Sequence, residues 1–291
     1  MKSPVQTAPQ PTTLSDVASS TALSEVVESW EHEATAQDFA TRFRSENLSE
    51  FKSLSSKKVD HSKIDKSVVL AHQLSRHEEK NLHFFIQRYR LLCNRVLEVA
   101  RHLQSQVFLI TSALADEGKT LTSANLAFAL SGIERKRTLL IDLDLRRYAL
   151  HSLLGIQSNR SDQLFLEAAD WHECLWSLRP NLDALLSTAP ADQPDQLLHS
   201  SALHNLLNAA REEYDYILID SAPLLLAADT HALLPVIDHA LLVVRADYTP
   251  IACSQDALKI LGDKVAGCIL NDVKRLKYES YYHGYYGTDK Q

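Results

Sequence analysis

Three groups of residues in this 291-residue chain have the types and spacing that chemistry needs. The first is Ala113-Leu114-Ala115-Asp116-Glu117-Gly118-Lys119-Thr120. It keeps the spacing of a phosphate-binding loop, with alanine in place of the first glycine. In such a loop, backbone N–H groups of the turn and of the helix start point inward at phosphate oxygens. Gly118 lets the backbone approach closely, Lys119 reaches the β- and γ-phosphates, and Thr120 offers a hydroxyl to magnesium. The second group is acidic: Asp142 and Asp144 in LLIDLDLRR, and Asp220 at the end of YILID. Carboxylates there can hold hydrated magnesium or accept a proton from an attacking nucleophile. Taken singly, each also reads as a helix N-cap after a strand. The third group is KYESYYHGYYGTDKQ, where Tyr278, Tyr281, Tyr282, Tyr285 and Tyr286 make up five of the ten tyrosines. They sit among Gly, Ser, His and Lys, so they read either as an interface patch or as hydroxyls offered to an active site.

These residues need elements to position them. QVFLITS (106–112), TLLID (138–142), NLDALLS (181–187), YILID (216–220), ALLVVRA (240–246) and VAGCIL (265–270) are strand candidates. Helices are expected over 79–103, 119–132, near 146–154, and over 195–213 and 250–262. In the first of them Phe85, Tyr89, Leu92, Val96 and Val99 form the apolar face. Helices alternating with near-continuous apolar strands predict an α/β fold, a mostly parallel sheet with helices on both faces. With the 113–120 loop between a strand and a helix, this is the P-loop NTPase fold. A parallel sheet collects strand C-termini at one edge, where ligands bind. Asp142, Asp144 and Asp220 are therefore expected to converge on Lys119 and Thr120.

Composition narrows the alternatives. Only 7 glycines occur, against roughly 20 at average usage, which excludes collagen-like and glycine-periodic architectures. A net charge of −7 gives no basic footprint for nucleic acid. The four cysteines lack a C-x-x-C pair and suit reduced thiols, with Cys253 and Cys268 read as core thiols. No run of 18 apolar residues occurs and the N-terminus has no apolar signal core, so the chain reads as soluble and cytoplasmic. Residues 1–75 read as a disordered or weakly structured arm, 76–277 as the P-loop domain with its leading helix, and 278–291 as a flexible tyrosine-rich tail.

From about residue 85 to 291 the chain resembles the bacterial tyrosine autokinases that regulate exopolysaccharide synthesis. The residues carrying this are TSALADEGKT (111–120) as Walker A, LLIDLDLRR (139–147) as Walker A′, ILIDSAP (217–223) as Walker B, and the tyrosines at 278–286. The resemblance implies ATP and Mg2+ as cofactors, with Ala115, Asp116, Glu117, Gly118, Lys119, Thr120 and Leu121 around the phosphates. It implies Asp142 as the base for an incoming tyrosine, and Thr120, Asp144 and Asp220 on magnesium, partly through water. Asn271 would approach the adenine, and the five tail tyrosines would be phosphoacceptors in a neighbouring subunit's site. Implied partners are a separate integral-membrane co-polymerase activator, further copies of the chain and a cognate tyrosine phosphatase. They place the protein at the inner face of the membrane.

The chain departs from the family at four places. Ala115-Asp116 replaces Pro-Gly, Ser221-Ala222-Pro223 lacks one proline, and Tyr148 replaces a proline. Of the E-x-x-R-x-x-R motif used in ring assembly, only Arg90 survives, with Gln87 and Cys93 at the other positions. Two other readings compete. In one the chain is a catalytically weak ATP-binding scaffold docked on the co-polymerase. In the other it is a partitioning or division-site ATPase, but those carry a second lysine where this chain has Leu114.

Overall fold

Short runs of branched and aliphatic residues form the centre of the molecule because only a strand covered on both faces can bury all of them. A computed structural model describes residues 57–58, 80–104, 106–133, 136–147, 149–156, 170–187, 191 and 193–273. The tail tyrosines, Tyr148 and most of the 1–75 arm lie outside the described residues.

In chain order the strands and helices are β1 (Lys57–Lys58), α1 (Lys80–Leu103), β2 (Val107–Ser112), α2 (Lys119–Leu130), β3 (Thr138–Leu143) and α3 (Leu150–Leu153). They continue with β4 (Trp176–Arg179), β5 (Leu182–Leu185), α4 (Pro194–Leu198), α5 (Ser201–Glu213), β6 (Tyr216–Ser221), β7 (His239–Arg245), α6 (Ile251–Leu261) and β8 (Val265–Asn271). The sheet order is β1-β4-β5-β3-β6-β2-β7-β8. From β5 to β8 every pairing is parallel, and β4 runs antiparallel to β5. Lys57–Lys58 pairs with Trp176–Ser177 at the sheet edge.

Alternation along the strands divides the core in two. Val107, Leu109, Leu139 and Ile141 face a cluster with Leu203, Leu207 and Leu233. Phe108, Ile110, Leu140 and Leu218 face the other, with Ala124, Ala127 and Phe128 of α2 and Val96 of α1. Burial of each such side chain stabilises the fold by about 1.5–3 kcal/mol. The sheet thus has helices on both faces, as the alternation of elements required.

Some elements differ from their sequence expectation. The helix near 146–154 shrinks to Leu150–Leu153, because the chain turns after β3, with Arg147 N–H donating to Asp144 C=O at 3.2 Å. The expected 195–213 helix is broken into α4 and α5 at Ser200, whose hydroxyl accepts from Leu203 N–H at 3.4 Å. On α1 the buried line is Ile86, Cys93, Val96 and Ala100; of the expected face it keeps Val96, while Tyr89, Leu92 and Val99 are half-buried. Cys93, at a departed position of the ring motif, is thus a core residue, and burial pushes its thiol up to about 12. Cys268 is not a core thiol: it lies on the edge strand β8, where it is exposed.

The N-terminal edge of the sheet is fastened by Asp238, next to β7. Its carboxylate accepts from Gln106 N–H (2.7 Å) and Val107 N–H (2.8 Å) and from both terminal nitrogens of Arg211 (2.9 and 2.6 Å). Burial works to raise this carboxyl's pKa, but Arg211 and the two N–H groups outweigh it and hold it below the usual range. A lowered carboxylate stabilises the fold above its unfolded pKa, and that contribution disappears as pH falls through the folded value. Asp238→Asn is expected to cost about 1–3 kcal/mol at pH 7, read by denaturant titration. The gap from wild type should close below about pH 4.

Candidate active site

The register of the parallel strands brings the acidic residues together. Asp142 on β3 and Asp220 on β6 are directly paired across the sheet. Paired residues of neighbouring strands face the same side, here the side on which α2 packs. Asp144 follows β3 by one residue, and Lys119 is the first residue of α2. Asp142, Asp144 and Asp220 are 0%, 2% and 1% exposed, and Lys119 only 9%, so the four charges share one buried space.

Lys119 Nζ donates to Asp144 Oδ2 at 2.8 Å. Asp142 Oδ1 accepts from Asp144 N–H at 3.1 Å, and Asp220 Oδ1 from the Ser123 hydroxyl at 3.0 Å. Thr120 also hydrogen-bonds Asp220. This leaves Asp142 Oδ2 and Asp220 Oδ2 buried without a partner. Burial and the charges of Asp220 and Asp144 push the Asp142 carboxyl well above the ordinary carboxylate range. Burial raises Asp220 too, only partly opposed by Lys119 and Thr120. Burial would lower the pKa of Lys119, but Asp220, Asp144 and Asp142 together raise it. Three carboxylates thus surround one ammonium. Unpartnered oxygens in a negative, buried pocket are the hard donor set that a divalent cation such as magnesium takes. Asp220 Oδ2, with the Thr120 hydroxyl beside it, suits such an ion, whereas both Asp144 oxygens already accept, from Lys119 and from Arg147 N–H.

The phosphate-loop residues lie against this cluster. Gly118 has φ +90°, and a Cβ there would collide with the Asn271 amide. Asn271 Nδ2 donates to Glu117 C=O at 3.0 Å. The Glu117 side chain is buried and turned into the loop, accepting from Leu114 N–H and from the Thr249 hydroxyl. Asp116 has φ +61° and is exposed, its carboxylate 3.1 Å from Arg147 Nη1, and its carbonyl accepts from Arg245 Nη1 at 3.2 Å. Ala115, Thr120 and Leu121 are half-buried around the same turn. After Asp220, the Thr111 and Thr230 hydroxyls donate to Ala222 C=O at 3.2 and 3.0 Å.

Lys119, Thr120, Asp142, Asp144 and Asp220 therefore converge as expected from strand ends, and Asn271 joins the loop. Ser123, Arg245 and Thr249 were not singled out from sequence. Ser123 carries a usable signal, being one helical turn beyond Lys119. Arg245 and Thr249 carry none, since only the β7 register brings them to the loop.

A raised carboxyl pKa favours folding below the unfolded value, and that contribution disappears as pH rises through the folded value. The ligand-free protein is therefore destabilised at neutral pH by its own site. Asp142→Asn keeps the bond to Asp144 N–H and removes one charge. It should raise the ligand-free melting temperature at pH 7.5 by about 3 °C, or about 1 kcal/mol, and by less at pH 5.

Comparison with known proteins agrees with this geometry. The AAA domain family matches residues 115–261. Tyrosine-protein kinase YwqD of Bacillus subtilis is 32% identical over 209 residues, covering 69% of this chain and 86% of that one. Succinoglycan biosynthesis transport protein ExoP of Rhizobium meliloti is 35% identical over 67% of this chain, but this match spans only 27% of ExoP. The VpsO kinase domain superposes with a TM-score of 0.59 at 29% identity, over 67% of this chain and all of the domain. With its P-loop, its mostly parallel sheet and this degree of identity, the chain belongs to the bacterial tyrosine-protein kinase family.

Proposed function

We propose that the protein transfers the γ-phosphoryl group of ATP to tyrosine, with Tyr278, Tyr281, Tyr282, Tyr285 and Tyr286 of its own kind as acceptors, and through this regulates exopolysaccharide synthesis. The observation that carries this reading is the free, buried Asp142 oxygen beside the Lys119 and Asp220 charges at the mouth of a phosphate loop. Lys119 exchanges Asp144 for the β- and γ-phosphate oxygens. The tyrosine oxygen forms a bond to the γ-phosphorus, and the bond to the bridging β–γ oxygen breaks, with ADP leaving. The phenolic proton passes to Asp142, whose raised proton affinity suits a base. Magnesium on Thr120, Asp144 and Asp220 would supply charge neutralisation at the phosphates. Asn271 commits its amide nitrogen to Glu117 C=O, so its amide oxygen is the group that would meet the adenine amino group.

Phosphorylation adds about −1.5 to −2 charge per tyrosine, which would expel the tail from this acidic site and loosen an assembly of copies. A cognate phosphatase would reset it. Among the described residues no helix is long and apolar enough to cross a membrane. The matched part is nearly the whole of YwqD and a minor part of ExoP. On the family resemblance, the proposal includes a separate integral-membrane partner at the inner membrane face.

Incubation of the purified full chain with Mg-ATP should yield phosphotyrosine in the 278–286 peptide, read by mass spectrometry. Lys119→Met should abolish it, and Asp142→Asn should slow it by about 10²–10⁴-fold. Because Asp142 must be unprotonated to act, the wild-type rate should rise with pH through a limb above the ordinary carboxylate range. Tight ATP binding without phosphotyrosine would replace the kinase with the ATP-binding scaffold.

A further inference from the structure

The loop that precedes α2 is braced by two neighbouring strand ends, whose Arg245 and Asn271 side chains donate to its carbonyls. Arg245, the last residue of β7, donates Nη1 to Asp116 C=O at 3.2 Å. Its Nε and Nη2 hold Asp272, beyond β8, at 3.0 and 2.9 Å. The guanidinium lies 5.1 Å from the centre of the Tyr248 ring. Thr249, two residues before α6, accepts from Arg245 N–H at 3.1 Å and donates to the buried Glu117 carboxylate.

A peptide unit is planar and trans, so its N–H points opposite to its C=O. The Asp116 carbonyl shares a unit with Glu117 N–H, and the Glu117 carbonyl shares one with Gly118 N–H. A donor that pins each carbonyl outward therefore aims the next N–H inward, toward the anion. Asn271 does this for Gly118 N–H. The constraint matters most at Asp116, whose φ of +61° is a region that glycine enters freely and other residues seldom do. Arg147 on its side chain and Arg245 on its carbonyl tie that residue to the turn after β3 and to the end of β7.

We propose that Arg245, with Thr249 behind it, is a positioning residue for phosphate binding: it sets the inward direction of the Glu117 N–H and offsets the strain at Asp116. This rests on the nucleotide reading given above. Neither side chain touches the phosphates. Loss of either should be felt in phosphate affinity before it is felt in the fold.

The test is calorimetric titration of Mg-ADP into the full-length protein, for wild type, Arg245→Ala and Thr249→Val, beside nucleotide-free melting curves. Arg245→Ala is expected to weaken Mg-ADP binding about tenfold, with ligand-free melting within about 2 °C of wild type. KM for ATP should rise by the same factor, with the rate at saturating ATP within about twofold of wild type. Thr249→Val, which keeps shape and removes one hydroxyl, should act in the same direction by a smaller factor, about threefold. Wild-type affinity in both variants would overturn the proposal. So would a fall in melting temperature with unchanged affinity in the folded protein, since that is a structural role only. Failure of wild type to bind Mg-ADP would remove the nucleotide reading itself, a result distinct from either.

Discussion

Three carboxylates share one buried ammonium, and the rest of the site follows from that imbalance. Asp142, Asp144 and Asp220 are almost fully enclosed, and Lys119 can neutralise one of them. Such a cluster has no reason to exist in a protein selected for stability alone, because each unpaired buried charge is costly. In the proposed function a cation and a phosphate chain would complete those charges. Lys119 donates to Asp144, while one oxygen each of Asp142 and Asp220 has no partner.

The sheet makes the imbalance possible. Parallel pairing puts Asp142 directly beside Asp220, and hydrophobic residues two positions earlier, Leu140 and Leu218, commit both strands to the same face. A slip of one residue would turn both carboxylates to the other face, away from α2. The core therefore fixes the chemistry, through register, without contributing to it. At the other edge, acidic residues serve the fold: Asp238 fastens β2 and β7 through Arg211 and two N–H groups, and no oxygen is left for a ligand.

This division explains what was legible in the sequence. The fully buried strands, the loop at 113–120 and the three aspartates all carry local signals, a run of apolar residues or a fixed spacing. The break at Ser200 and the shortness of α3 did not, because each depends on a side chain or turn that competes with helix only in context. β4 carries no such signal, since its four residues, WSLR, gain strand character from pairing with β5 and not from their own pattern. Arg245 and Thr249 lie 129 and 132 residues along the chain from the loop residues they bond, and no short-range pattern links them. Asp116 is the instructive case. By type it is an unwanted negative charge beside phosphates, yet in the fold its carboxylate faces out to Arg147.

Ligand charge is what completes three carboxyls buried around one ammonium. Calorimetry of preformed Mg-ADP binding at pH 6, repeated in buffers of different ionisation enthalpy, tests this directly. The raised proton affinities of Asp142 and Asp220 predict net proton release from the protein on binding. The release should shrink in Asp142→Asn. Binding with no proton release, or with net uptake, would contradict the account.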